Sequence, residues 1–238
     1  MKRLLVASIA LGSLVPAACV VSLDPGSAAP APPSSGSSAI RYVALGDSYT
    51  IGTGVGQNDR WPDQLVAAVG GDAPLELVAN LGVNGYTSSD LIRDELPELR
   101  ALDAGFVTIL IGVNDVVQRV SIDRYRANVE QILGEVLAVV PRERIVVVAT
   151  PDYTRTPRGV DFGNPEEQRA GIHAVNEVMR AEATERGIAF VDISVVADQA
   201  GADRTLVAGD QLHPSGAQYG RWVELIAPVV AELLASGN

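Results

Sequence analysis

Five short apolar runs, separated by stretches of helical period, limit what this chain can fold into more than any other feature. The runs cover residues 42–45, 75–79, 106–111, 145–149 and 188–193. Each is continuous rather than alternating, as a strand buried on both faces requires. Between them, residues 61–69 read as a helix introduced by the turn residues Asn58 and Asp59. Residues 88–102 follow, with Thr87 and Asp90 spaced as a capping box and Pro97 expected to kink or divide the helix. Over residues 122–140, Ile122, Tyr125, Val129, Ile132, Leu133 and Val136 form one apolar stripe. Asn164-Pro165-Glu166-Glu167 opens the next helix and Gly187 closes it. A last helix spans 219–234, with Trp222, Val223, Ile226, Val229, Val230 and Leu233 on its inner side. This alternation predicts one α/β domain over residues 40–238, a three-layer α/β/α sandwich around a five-stranded parallel sheet. The expected strand order is 2-1-3-4-5, the flavodoxin-like order. Neither an internal repeat nor a second domain is visible.

The N-terminal segment has a different character. Lys2 and Arg3 precede an apolar stretch over residues 4–15 and then small residues, a secretory signal pattern ending at residue 19. Cys19, the sole cysteine, follows Ala17-Ala18 as in a bacterial lipoprotein cleavage box, although Pro16 stands where such a box carries Leu or a similar residue. Two fates are therefore open: a lipid tether through Cys19, or release by a cut near Ala28-Ala29-Pro30-Ala31. Residues 20–39 are rich in Pro, Ser, Gly and Ala and read as a flexible linker, with a reach of about 25 Å. Export places the domain outside the cytoplasm. The net charge of −11 argues against nucleic acid, whose phosphates need a basic face. Removing the signal takes away Lys2 and Arg3 and no acid, so the remainder is more acidic still. One cysteine and two histidines do not supply a structural zinc site, and nothing calls for a metal or other cofactor.

The polar residues gather at the ends of the apolar runs. Gly46-Asp47-Ser48 follows the first run, Asn80-Leu81-Gly82-Val83-Asn84-Gly85 the second and Gly112-Val113-Asn114-Asp115 the third. A doubly wound sheet brings all three to one edge, where such folds bind ligands. With the first strand between the second and third, Ser48 lies at the centre, flanked by Gly85 and Asn114. Ser48 itself can be a nucleophile, a helix N-cap or a turn residue. Near the C-terminus, Asp210-Gln211-Leu212-His213 places an acid three residues before one of the two histidines. Alone, that spacing also suits a metal pair or a turn; beside a serine at the sheet edge it suits a base and its orienting acid. His173 falls within a helical stretch and reads as a helix-surface residue. Asp152 competes with Asp210 as orienting acid, and Asp47 and Asp115 read as acceptors that hold loops. The long segment 151–163 follows the fourth run on the same edge and reads as a wall against substrate or as a structural excursion.

Taken together, these four blocks resemble the SGNH hydrolases, also called GDSL esterases and lipases. Gly46-Asp47-Ser48-Tyr49 matches the first block, with Tyr49 where Leu is usual. Asn80–Gly85, Gly112–Asp115 and Asp210–His213 match the second, third and fifth, in order, and the likeness runs over residues 40–234. The resemblance implies a serine carboxylic-ester hydrolase with Ser48 as nucleophile, His213 as base and Asp210 as its orienting acid. It also implies an oxyanion hole formed by the N–H groups of Ser48 and Gly85 and the amide of Asn114. A small-molecule or glycan ester is the expected substrate, with short acyl groups preferred because aromatic residues are only 5% of the chain. An acyltransferase using the same residues, or a surface-tethered glycan-binding module, are the alternatives. A nucleotide-binding domain built on Gly52-Thr53-Gly54-Val55-Gly56 does not fit the G-x-G-x-x-G spacing. An α/β-hydrolase fold lacks its G-x-S-x-G elbow around Ser48.

Overall fold

The computed structural model describes residues 39–70 and 74–236. The export signal and nearly all of the linker lie outside the described residues. In chain order the elements are β1 (Ile40–Gly46), α1 (Ser48–Ile51), α2 (Trp61–Ala68), β2 (Leu75–Asn80), α3 (Ser88–Asp90), α4 (Leu96–Ala101), β3 (Phe106–Leu110), α5 (Val113–Val117), α6 (Ile122–Leu137), β4 (Ile145–Val148), α7 (Pro165–Glu185), β5 (Ala189–Val191), α8 (Ser194–Ala197) and α9 (Gly216–Ser236). The strands form one sheet in the order β2-β1-β3-β4-β5, with every pairing parallel. This is the predicted order, and it sets β1 between β2 and β3.

The pleat explains how continuous apolar runs serve two layers, because successive side chains leave a strand on opposite faces. Tyr42, Ala44, Phe106, Leu110, Val146 and Val148 pack with Trp61 and Leu65 of α2 and Trp222 and Ile226 of α9. Val43, Leu45, Val107, Ile109, Ile145 and Val147 face the other way, onto Leu96 and Leu99 of α4, Tyr125, Val129, Ile132, Leu133 and Val136 of α6, and Val175, Val178 and Met179 of α7. Ile122, expected in the α6 stripe, is instead exposed in the first turn of that helix. The exception on the first face is Thr108, fully buried, whose hydroxyl is 2.7 Å from that of Tyr42, so neither polar atom is left unpaired.

Two elements depart from expectation. The last strand is shorter than the 188–193 run because it is an edge, paired only with β4 over three residues, and Asp192 accepts the Ser194 N–H at 2.9 Å to start a turn. The 88–102 helix is interrupted ahead of Pro97 rather than bent at it. The Thr87–Asp90 capping box starts α3, a π-helical turn covers Leu91–Glu95, and Pro97 then falls in the first turn of α4. Proline lacks an N–H and its ring crowds the carbonyl four residues back; widening the preceding turn accommodates both.

Candidate active site

Gly46 ends β1 with φ 152°, and a Cβ on it would lie 2.2 Å from Leu110 O and 2.4 Å from Thr50 Oγ1. Only a residue without a side chain lets the chain turn out of the sheet this close to β3. Asp47 then caps α1, its Oδ1 accepting the Tyr49 N–H at 2.9 Å. Ser48 opens that short helix with a side chain at the sheet edge, and the residue is 7% exposed. Its own N–H has no acceptor among the described residues.

From the far end of the chain, the 210–213 turn comes to the same place. Asp210 Oδ1 accepts the N–H groups of Leu212 and His213, both at 3.0 Å, while Oδ2 lies 2.6 Å from His213 Nδ1. His213 Nε2 lies 2.9 Å from Ser48 Oγ. A carboxylate at Nδ1 fixes the proton there, which leaves Nε2 as the acceptor facing the serine hydroxyl. Burial works against the Asp210 carboxylate, but the hydrogen bonds from the His213 ring and the two backbone N–H groups outweigh it and hold the carboxyl below its ordinary range.

Ser48 and His213 open onto a cavity of about 200 Å³ whose apolar walls include Val113, Val117, Tyr153, Phe162 and Leu212. The 151–163 segment is thus a wall of this cavity: Tyr153 and Phe162 meet edge to face at 5.5 Å, and Tyr153 hydrogen-bonds Gln168 behind them. Gly85 and Asn114 line the same space. Gly85 has φ 83°, a conformation that favours glycine, and its N–H has no acceptor among the described residues. Asn114 Nδ2 donates to Tyr86 O at 2.9 Å and stands 3.5 Å from Asp47 Oδ2. N–H groups without an acceptor, on residues that line a cavity beside a serine–imidazole pair, can stabilise a developing oxyanion.

A family model for the GDSL-like lipase/acylhydrolase family matches residues 44–221, from β1 into α9. The chain belongs to that family. As a GDSL-family protein it is a carboxylic-ester hydrolase. It is 27% identical to a lipase of Streptomyces rimosus over 187 residues, 64% of this chain and 69% of that protein. Its fold is similar to that of an acetylxylan esterase from Geobacillus stearothermophilus, with TM-score 0.64 and 20% identity over 80% of this chain and 94% of the other. A protein described as lipolytic and of the G-D-S-L family, from Desulfitobacterium hafniense, superposes with TM-score 0.60 and 20% identity, covering 80% and 99% of the two chains.

Other sequence candidates in this GDSL-family hydrolase lie elsewhere. Asp152 faces Arg169, 3.0 Å away, and Arg155, not the imidazole. His173 sits on the exposed side of α7. Asp115 holds a loop, accepting from Ser88 N at 2.9 Å and Ser88 Oγ at 2.5 Å. Two further residues at the site, Gln118 and Glu95, carried no signal in the sequence, and Tyr49 was marked only as a departure within the first block. Gln118 Nε2 donates to Gly85 O at 3.0 Å and so orients the Gly85 loop. Glu95, on the π-helical turn, accepts the Gly46 N–H at 2.8 Å from below. Tyr49 packs against the His213 ring. Each partner is distant in sequence or depends on a side-chain direction, so spacing does not show it. The acids behind Ser48 are short of water. Burial pushes Asp47 up to about 7, with Asp115 adding to the shift, and pushes Glu95 up to about 9, with Asp47 adding to it.

Proposed function

We propose that this chain is an exported serine esterase in which Ser48, His213 and Asp210 act as nucleophile, base and orienting acid. The observation that carries the reading is the continuous row Asp210–His213–Ser48, at 2.6 and 2.9 Å, on the wall of the 200 Å³ cavity. Ser48 Oγ attacks the ester carbonyl carbon as its proton passes to His213 Nε2, and Asp210 steadies the imidazolium through Nδ1–H. The carbonyl oxygen becomes an oxyanion facing the N–H groups of Ser48 and Gly85 and the amide of Asn114. Collapse breaks the bond to the alcohol, which takes the proton from His213 and leaves an acyl-serine. Water, deprotonated by the same imidazole, attacks that ester, and the serine departs with the proton to release the acid.

Short acyl groups suit the cavity, which is smaller than the roughly 300–1,000 Å³ usual for ligand pockets. The likeness to an acetylxylan esterase supports a small acyl group on a glycan or small alcohol. Ser48→Ala is expected to abolish hydrolysis across a p-nitrophenyl ester series and labelling by a fluorophosphonate, with folding intact. The unaltered protein should turn over acetate and butyrate faster than octanoate. Turnover retained by the alanine variant removes the mechanism. The Met1–Ala18 pattern supports export, followed either by a lipid tether through Cys19 or by release through cleavage near Ala28-Ala29-Pro30-Ala31. Palmitate incorporated in the producing bacterium and lost in Cys19→Ser supports the tether; none in either points to a protein released by cleavage.

A further inference from the structure

We propose that Tyr49 is a positioning residue for His213: its ring keeps the imidazole in the orientation that reaches both Ser48 and Asp210 and favours the imidazolium formed during acyl transfer. This rests on the reading of Ser48 and His213 as nucleophile and base. Two hydrogen bonds, one at each ring nitrogen, fix the two ends of the imidazole but leave it free to tip about the line joining them. A ring packed against it restricts that freedom.

Tyr49 is built to do so. Its backbone is fixed next to Ser48 by the Asp47 cap, and the residue is 2% exposed. The ring centroid lies 5.1 Å from that of His213, with planes inclined at 55°. On its other side Tyr49 stacks with Trp222 at 6.5 Å and 22°, and Trp222 meets Tyr219 edge to face at 5.0 Å. Trp222 and Tyr219 are fully buried on α9, so the imidazole ends a row of rings anchored in the core. At this separation an aromatic ring attracts a cation, and more strongly where water is excluded. The charged and titratable groups around the pair are Asp210 at Nδ1, with Asp47, Tyr219 and Tyr153 near the phenol. Burial, then these neighbours, push the Tyr49 hydroxyl well above its ordinary range, so the ring acts as a neutral surface. Leu, usual at this position in the family, offers no such ring.

Tyr49 also lines the cavity, so the test must separate positioning from substrate contact. Tyr49→Phe and Tyr49→Leu are assayed with p-nitrophenyl acetate across pH. Phe is expected to keep kcat within about twofold. Leu is expected to lower kcat about three- to thirtyfold with KM nearly unchanged, the range set by loss of a cation–π contact. If Leu does not fold, Tyr49→Met, similar in bulk and without a ring, is read the same way. An unchanged kcat, a change in KM alone, or an equal loss in Phe each overturn the proposal. Fluorophosphonate labelling of the unaltered protein separates the two readings: a labelled serine leaves the nucleophile standing whatever Tyr49 does, and an unlabelled one removes both.

Discussion

The Asn114 amide carries two N–H bonds, and one is already committed to Tyr86 O at 2.9 Å. That bond holds the amide plane, while Asp47 Oδ2, 3.5 Å away, stands near enough to bias the same group. A donor held this way needs no reorganisation when negative charge develops in front of it, the condition under which such donors matter most. Asn114→Ala is therefore expected to lower kcat by about 10²–10³ with a much smaller change in KM. A steady-state comparison on one ester checks this, and an effect confined to KM would make Asn114 a binding residue only. Asn114, Gly85 and Ser48 could be singled out from sequence because each falls just after an apolar run, and the sheet order converts that position into a place. Gln118 could not, because its contact to Gly85 O spans 33 residues and nothing in its neighbours distinguishes it from a solvent-facing glutamine.

At the level of elements, legibility followed the strength of the local signal. The Thr87–Asp90 box and the Asn164 cap are formed as spaced, with Asn164 Oδ1 accepting from Glu166 at 2.9 Å and Glu167 at 3.3 Å. In both, the capping groups lie within three residues of each other, so local sequence contains the whole interaction. The limits of β5 were not legible, since pairing with β4 rather than hydrophobicity decides where an edge strand stops. The π-helical turn was not legible either. Pro97 signals that something must give, but the strain is relieved upstream, where Glu95 meets the Gly46 N–H across the domain. The 151–163 segment lies between these cases. Its length and place marked it as either a wall of the ligand edge or a structural excursion, while the pairing of Tyr153 with Phe162 that builds the wall depends on a fold of the loop set by its own hydrogen bonds, such as Thr154 N to Asp152 Oδ1 at 3.0 Å.

Across the whole molecule, the acidic balance read from composition hides a division between two kinds of carboxyl. Asp210, Asp192 and Asp90 are held below their ordinary range: burial opposes this in each, and hydrogen bonds from His213, Ser194 and Thr87 with neighbouring donors outweigh it. Glu95 and Asp47 are raised by burial behind Ser48, to about 9 and about 7. Glu95 is 2% exposed, and its Oε1 has no partner among the described residues, so the folded state favours its neutral form. The sign of the consequence follows from proton binding. Above about pH 4 the unfolded chain releases these two protons, while the folded chain keeps them until about 7 and about 9. Stability therefore falls as pH rises through that window. The lowered carboxyls act oppositely, losing their contribution as pH falls through their depressed values, so the two sets together favour mildly acidic conditions. Glu95→Gln keeps an oxygen for the Gly46 N–H and mimics the neutral acid, so it should match the unaltered protein near about pH 4, where the unfolded carboxyl is still largely protonated. By pH 8–9 it should unfold at a clearly higher temperature, because its stability no longer includes the Glu95 part of the decline. Thermal unfolding followed at about pH 4, 7 and 9 checks this, and parallel curves for the two proteins would mean that Glu95 is ionised in the folded state.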